Sequence, residues 1–126
     1  MNLVDSSGWL EFFADDTNAD FFAPVIEDTA NLIVSTINIY EVFKAILRQK
    51  KEDAALQAIA VMQQGDIKEV TSSIALLGAK QSHELKLPMA DSIILATAKI
   101  YDATLWTQDS DFRDMPGIKF INKKLK

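Results

Sequence analysis

The chain contains no cysteine, which excludes a disulfide framework, a thiolate nucleophile and a thiolate metal site. A reducing compartment suits such a composition. Only four glycines are present, and neither a GxxxxGK[ST] nor a GxGxxG stretch occurs, so two glycine-rich phosphate cradles are missing. The single histidine, His83, stands among Gln81, Ser82 and Glu84 and reads as part of a solvated helix face rather than as a general base. No apolar run approaches the length of a membrane span, and the opening MNLVDSSGWLEFF has no basic flank ahead of its apolar residues. A soluble, cytoplasmic protein is the expectation. Positive charge is in deficit, with 13 Lys and Arg against 18 Asp and Glu and a formal net charge of −5. That balance argues against a surface wrapped throughout by nucleic acid, although a local basic rim is compatible with it.

What is present suffices for one core. With 126 residues and 48% hydrophobic content, residues 1–126 are expected to form a single domain. Asn2 to Val4 reads as a strand, and Trp9, Leu10, Phe12 and Phe13 as an amphipathic helix after it. A polar break from Asp15 to Asp20 precedes a helical stretch from Phe21 to Asp28, with Pro24 acceptable only near its start. Asn31 to Ser35 is a buried strand. Thr36 to Lys50 has Ile39, Val42, Phe43, Ile46 and Leu47 at helical spacing, and Glu52 to Gln64 predicts a second helix that stops at Gly65. Asp66 to Thr71 alternates as a half-exposed strand, followed by a helix capped by Ser72 or Ser73 and running to Leu85. Ala90 to Tyr101 predicts an apolar helix ended by Asp102, then come a short strand from Ala103 to Thr107, a turn from Asp109 to Asp114, a last strand from Ile118 to Ile121 and a basic tail from Asn122 to Lys126. Strands separated by helices require right-handed crossovers, so the fold class is α/β with a central parallel sheet covered on both faces.

Acids recur at equivalent places along this pattern. Asp5 follows the first strand, Glu41 lies in the first turns of the helix after the second, Asp91 opens a helix, and Asp109 follows the strand containing Trp106. Each has an ordinary explanation, because Asp5, Asp91 and Asp109 can serve as caps or Asx turns and Asn38 with Glu41 resembles a capping box. As a set they come from distant segments that a parallel sheet gathers at one edge, where ligands of open α/β sheets bind. Carboxylates without Cys or His form a hard-cation site suited to Mg²⁺ or Mn²⁺, and such ions serve phosphodiester hydrolysis by an activated water.

Four stretches carry a family resemblance: Val4-Asp5-Ser6-Ser7, Ile39-Tyr40-Glu41-Val42, Ala90-Asp91-Ser92-Ile93-Ile94-Leu95-Ala96-Thr97-Ala98 and Thr107-Gln108-Asp109-Ser110-Asp111-Phe112. In this order they resemble the signature stretches of PIN-domain ribonucleases, especially VapC-type toxins. The resemblance implies a three-layer α/β/α sandwich and a Mg²⁺- or Mn²⁺-dependent RNA endonuclease. It also implies a homodimer and a cognate antitoxin as partner. By position, Asp5, Glu41, Asp91 and Asp109 are the implied metal-binding and catalytic quartet, with Ser6, Thr107 and Asp111 auxiliary. The N-terminal aromatics Trp9, Phe12, Phe13, Phe21 and Phe22 read first as core or interface, and in the toxin reading as part of an antitoxin groove. Lys44, Arg48, Lys50, Lys51, Arg113 and the tail lysines are candidates for a basic rim. Two other readings stand beside this one: a receiver-like or nucleotide-handling α/β domain, and a catalytically idle PIN fold acting as a scaffold.

Overall fold

In the computed structural model, which describes residues 1–124, the apolar segments pair as Asn2–Val4 (β1), Leu32–Ser35 (β2), Asp66–Lys68 (β3), Thr104–Thr107 (β4) and Ile118–Phe120 (β5). Leu125 and Lys126 of the expected basic tail lie outside the described residues. The strands hydrogen-bond in the order β3-β2-β1-β4-β5, and every pairing is parallel. The helices are Ser6–Phe13 (α1), Ala19–Glu27 (α2), Thr36–Leu47 (α3), Glu52–Met62 (α4), Ser72–Leu85 (α5) and Met89–Ile100 (α6).

Side chains alternate across the pleat, so each strand feeds two cores. Val4, Leu32 and Val34 pack with Trp9, Phe22, Val42, Ile59 and Met62 on the face covered by α1 to α4. Leu3, Ile33 and Leu105 turn the other way, onto Ile94, Leu95 and Ala98 of α6 and onto Phe112. This is the α/β/α sandwich. Of the early aromatics, Trp9 and Phe22 are fully buried and Phe12, Phe13 and Phe21 pack against them as core. The helix α5 packs chiefly on α6. His83 is exposed on its surface.

Several boundaries differ from the sequence pattern. The helix α2 begins at Ala19, so Asp20 is in its first turn and Pro24 lies inside it rather than near the start. The proline forfeits one backbone bond, but Phe22, Val25 and Ile26 are buried from the same helix and their burial outweighs that loss. The strand β3 stops at Lys68 instead of Thr71, because its partner β2 ends at Ser35, paired with Lys68, where α3 begins. Thr71 then caps α5 by accepting from the Ile74 N–H at 3.2 Å, a role expected of Ser72 or Ser73. The capping box of α3 is likewise Ser35 with Asn38, not Asn38 with Glu41. That displacement frees the Glu41 carboxylate.

Candidate active site

The strand order reverses at β1, whose neighbours are β2 and β4, and the crevice beyond the carboxyl ends of β1 and β4 is where an open parallel sheet binds ligands. The chain leaves β1 at Asp5, whose N–H makes a last bond to the Trp106 carbonyl at 2.9 Å before α1 starts. Gly8 allows α1 to lie there. A Cβ on it would stand 2.6 Å from the Phe22 ring and 2.7 Å from Val4, so this close approach requires glycine.

A cavity of about 380 Å³ opens at this point, lined by Asp5, Glu41, Asp91 and Asp109. All four acids singled out by the sequence meet around it. Their surroundings differ. Asp5 is buried, and its Oδ2 accepts from Ser7 Oγ at 2.7 Å and from Thr107 Oγ1 at 2.9 Å. Although it occupies the cap position of α1, it makes no side-chain capping bond. Glu41 Oε1 accepts from Ser6 Oγ at 2.7 Å, and that hydroxyl accepts in turn from Asn38 Nδ2 at 3.0 Å. The same Asn38 receives the Ser35 N–H, so the α3 capping box also fixes Ser6 and, through it, Glu41. Asp91 lies in the first turn of α6, behind Pro88 in the cap position. Asp109 does act as a cap, accepting from the Asp111 N–H at 2.9 Å, while its own N–H donates to Thr107 Oγ1 at 2.9 Å. One threonine hydroxyl thus links Asp5 to Asp109.

Among the described residues, Asp91, Asp109 and Asp111 form one close group, each offering a carboxylate oxygen within 4.8 Å of the others. Asp111, an auxiliary residue in the sequence reading, therefore joins Asp91 and Asp109 from the exposed edge of the site, while Asp5 and Glu41 line the cavity with them. Burial first, then a hydrogen bond to Asp111 and repulsion from Asp109, Asp5 and Asp111, push the Asp91 carboxyl up to about 8. Two carboxyl groups hydrogen-bond to each other only when one keeps a proton. Burial also raises Asp5, opposed by its bonds from Ser7 and Thr107 and reinforced by Asp109. Such a set, all oxygen and short of positive charge, fits a hard divalent cation. Cations flank the acids: Lys44 and Arg48 of α3 line the same cavity, with Lys44 5.6 Å from the centre of the Tyr40 ring.

Behind the site lies a buried polar network that the sequence did not reveal. Gln108 Nε2 donates to Glu11 Oε1 at 3.0 Å, Glu11 Oε2 accepts the Asn18 N–H at 2.8 Å, and Asn18 Nδ2 donates to Gln108 Oε1 at 2.9 Å. Glu11, Asn18 and Gln108 are all buried. Their only trace in the sequence is Glu11 interrupting the apolar stripe of α1 and Gln108 standing between two site positions. The sequence names Ser7 in a signature stretch and Asn38 in a capping box but not their part in orienting Asp5 and Ser6, because a hydroxyl or amide that orients an acid has no spacing signature of its own.

Comparison with known proteins agrees with this architecture. The family model for the PIN domain matches residues 3–118. Comparison with curated proteins gives no match. Among solved structures, a toxin-antitoxin complex from Klebsiella pneumoniae is similar at 24% identity and TM-score 0.76, covering 94% of this chain and 95% of that one. VapC20 of Mycobacterium tuberculosis, described as a sarcin-ricin loop cleaving toxin, has 16% identity and TM-score 0.79 over 94% of this chain and 98% of its own. FitAcB from Neisseria gonorrhoeae follows the same fold at 18% identity and TM-score 0.73, covering 97% of each chain. With the acids gathered at its switch point and the family model spanning almost its whole length, this chain belongs to the PIN domain family.

Proposed function

We propose that the protein is a metal-dependent endoribonuclease and the toxin of a toxin-antitoxin pair. The observation that carries this reading is the convergence of Asp91, Asp109 and Asp111 within 4.8 Å, beside a cavity that Asp5, Glu41, Asp91 and Asp109 line. Asp91, Asp109 and Asp111 would hold Mg²⁺ or Mn²⁺, with Asp5 and Glu41 completing the acidic set. When bound, such an ion supplies a lowered pKa for water and charge stabilisation for the leaving oxygen of a phosphodiester. The chain's own contribution is orientation. Ser7 and Thr107 fix Asp5, and Ser6 fixes Glu41, so both carboxylates are held ready to accept hydrogen bonds from an attacking water. Burial and the neighbouring acids push the Asp91 carboxyl up to about 8, so a cation held there would displace its proton. Lys44 and Arg48 sit where they can meet RNA phosphates beside the acids.

Support for the toxin role comes from the relatives, one described as a toxin-antitoxin complex and one as a cleaving toxin. A cognate antitoxin and a second copy of the chain are the partners this reading expects. Among the described residues no helix is long and apolar enough to cross a membrane, and a cytoplasmic enzyme acting on cellular RNA fits the proposal. Incubating the purified protein with total RNA is the test. Cleavage should require Mg²⁺ or Mn²⁺, stop in EDTA and vanish in Asp91→Asn. Folded protein that never cuts RNA under these conditions would favour the idle scaffold instead.

A further inference from the structure

On the β5 side of the acids lies a second cavity, of about 410 Å³, that shares Ser7 and Asp109 with the first. Its character is opposite. The first is lined by Asp5, Glu41, Asp91 and Asp109 against Lys44 and Arg48, whereas the second sets Arg113 and Lys123 against Asp109 alone. Arg113 donates from Nη2 to Asn122 Oδ1, and its guanidinium carbon stands 5.3 Å from the centre of the Phe120 ring. A long side chain that would otherwise sample many rotamers is thereby held in one place by a neutral amide and an aromatic face. Among the described residues no carboxylate forms an ion pair with it, so its charge remains available to an anion.

The pocket is also tied to the acids. Asn122 accepts through its backbone carbonyl from Asn18 Nδ2 at 2.9 Å, and the same amide nitrogen donates to Gln108, the residue before Asp109. The buried Glu11, Asn18 and Gln108 network therefore fixes the distance between the basic pocket and the acidic cleft. That device has a use if one ligand must lie across both.

We propose that this pocket is a nucleotide subsite for single-stranded RNA, resting on the endoribonuclease reading. Arg113 and Lys123 take a phosphate next to the one being cleaved, and the base of that nucleotide stacks on the guanidinium that Phe120 supports. A polyanion approaching a cluster of carboxylates needs cations on either side of the cut. Lys44 and Arg48 provide one side, and Arg113 and Lys123 the other.

The test uses the full chain carrying Asp91→Asn, which blocks cleavage, and a short fluorescein-labelled single-stranded RNA read by anisotropy across a salt series. Arg113→Gln with Lys123→Gln should weaken binding about tenfold or more and flatten the plot of log affinity against log salt by roughly 0.7 for each phosphate no longer neutralised. Arg113→Lys should retain the slope while losing affinity, because it keeps the charge and not the planar stack. Lys80→Gln on α5 with Lys86→Gln just past its C-terminus should behave as the parent. All these side chains are exposed, and equal melting temperatures would establish that each variant is folded. If the Arg113 and Lys123 variant binds RNA with the parent's affinity and slope while the unmutated chain cleaves RNA, the subsite is wrong and the nuclease reading stands. A parent that binds no RNA and a wild type that cuts none would overturn both. Unchanged RNA binding with loss of antitoxin rescue in cells would assign the pocket to the protein partner and overturn the proposal.

Discussion

Asp91 stands among like charges in the cleft. Its carboxyl titrates at about 8 in the folded chain, against 3.8 for an unperturbed aspartate. An acid whose folded pKa is raised binds its proton more tightly when folded, so stability is undiminished below the lower value and is lost as pH climbs toward the upper one. Metal-free protein should therefore melt at progressively lower temperature between about pH 4 and about pH 8. Asp91→Asn removes the charge with little change of shape, should flatten that dependence, and should melt at or above wild type in EDTA while losing cleavage. Mg²⁺ binds only the assembled site and should raise the wild-type melting temperature more than that of the variant. Thermal melts across pH, with EDTA and with Mg²⁺, check all of this; a variant melting far below wild type at every pH would make Asp91 a structural residue. At Ser6 the expected sign is opposite. Ser6→Ala leaves buried Asn38 and the Glu41 carboxylate each short of a partner, and should cost about 1–3 kcal/mol in urea unfolding. Asp5 and Asp109 were legible from sequence because strand ends are marked by where apolar runs stop, and Asp91 and Glu41 because they stand in the opening turns of apolar-patterned helices. The roles of Ser7, Asn38 and Gln108 were not, since they arise from hydrogen bonds between segments far apart in the chain.

At the scale of elements, helix starts decide which side chains are free to act. Because Thr71 and not Ser73 caps α5, Thr71→Ala should cost about 1 kcal/mol whereas Ser73→Ala should be nearly neutral. Equal losses at both positions would contradict the observed cap. The sequence contains hydroxyls at three successive positions and cannot choose among them; the choice falls to the end of β3, set by its pairing with β2. The approach of α1 to Val4 and Phe22 is a second such constraint. Gly8→Ala forces a methyl group to within 2.6–2.7 Å of its neighbours and should destabilise the fold by about 1–3 kcal/mol. Since Ser6 and Ser7 belong to the same helix, cleavage should fall further than stability alone explains, which an assay well below the melting temperature will distinguish from unfolding.

For the whole molecule, apolar surface remains on the helices after β2. Tyr40 is 60% exposed, Leu76 74% and Met89 70%, with Leu47, Leu56 and Leu85 also accessible. Covering these by a second copy of the chain predicts a solution mass near twice 14.0 kDa by light scattering, and a mass of 14.0 kDa at high concentration would count against it. Taken as one domain, the chain should also unfold in a single cooperative step by calorimetry. By itself, the sequence determined the parallel α/β architecture and the acids at strand ends and helix starts, because apolar periodicity, breaker residues and the positions of charge are local properties of the chain. The tertiary structure alone decided that Asp111 joins Asp91 and Asp109, that Pro24 is carried inside α2, and that Ser35 and Asn38 form the box that leaves Glu41 to Ser6. Those outcomes depend on which strands pair and where each pairing ends, and backbone register is a property of two segments together that neither encodes alone.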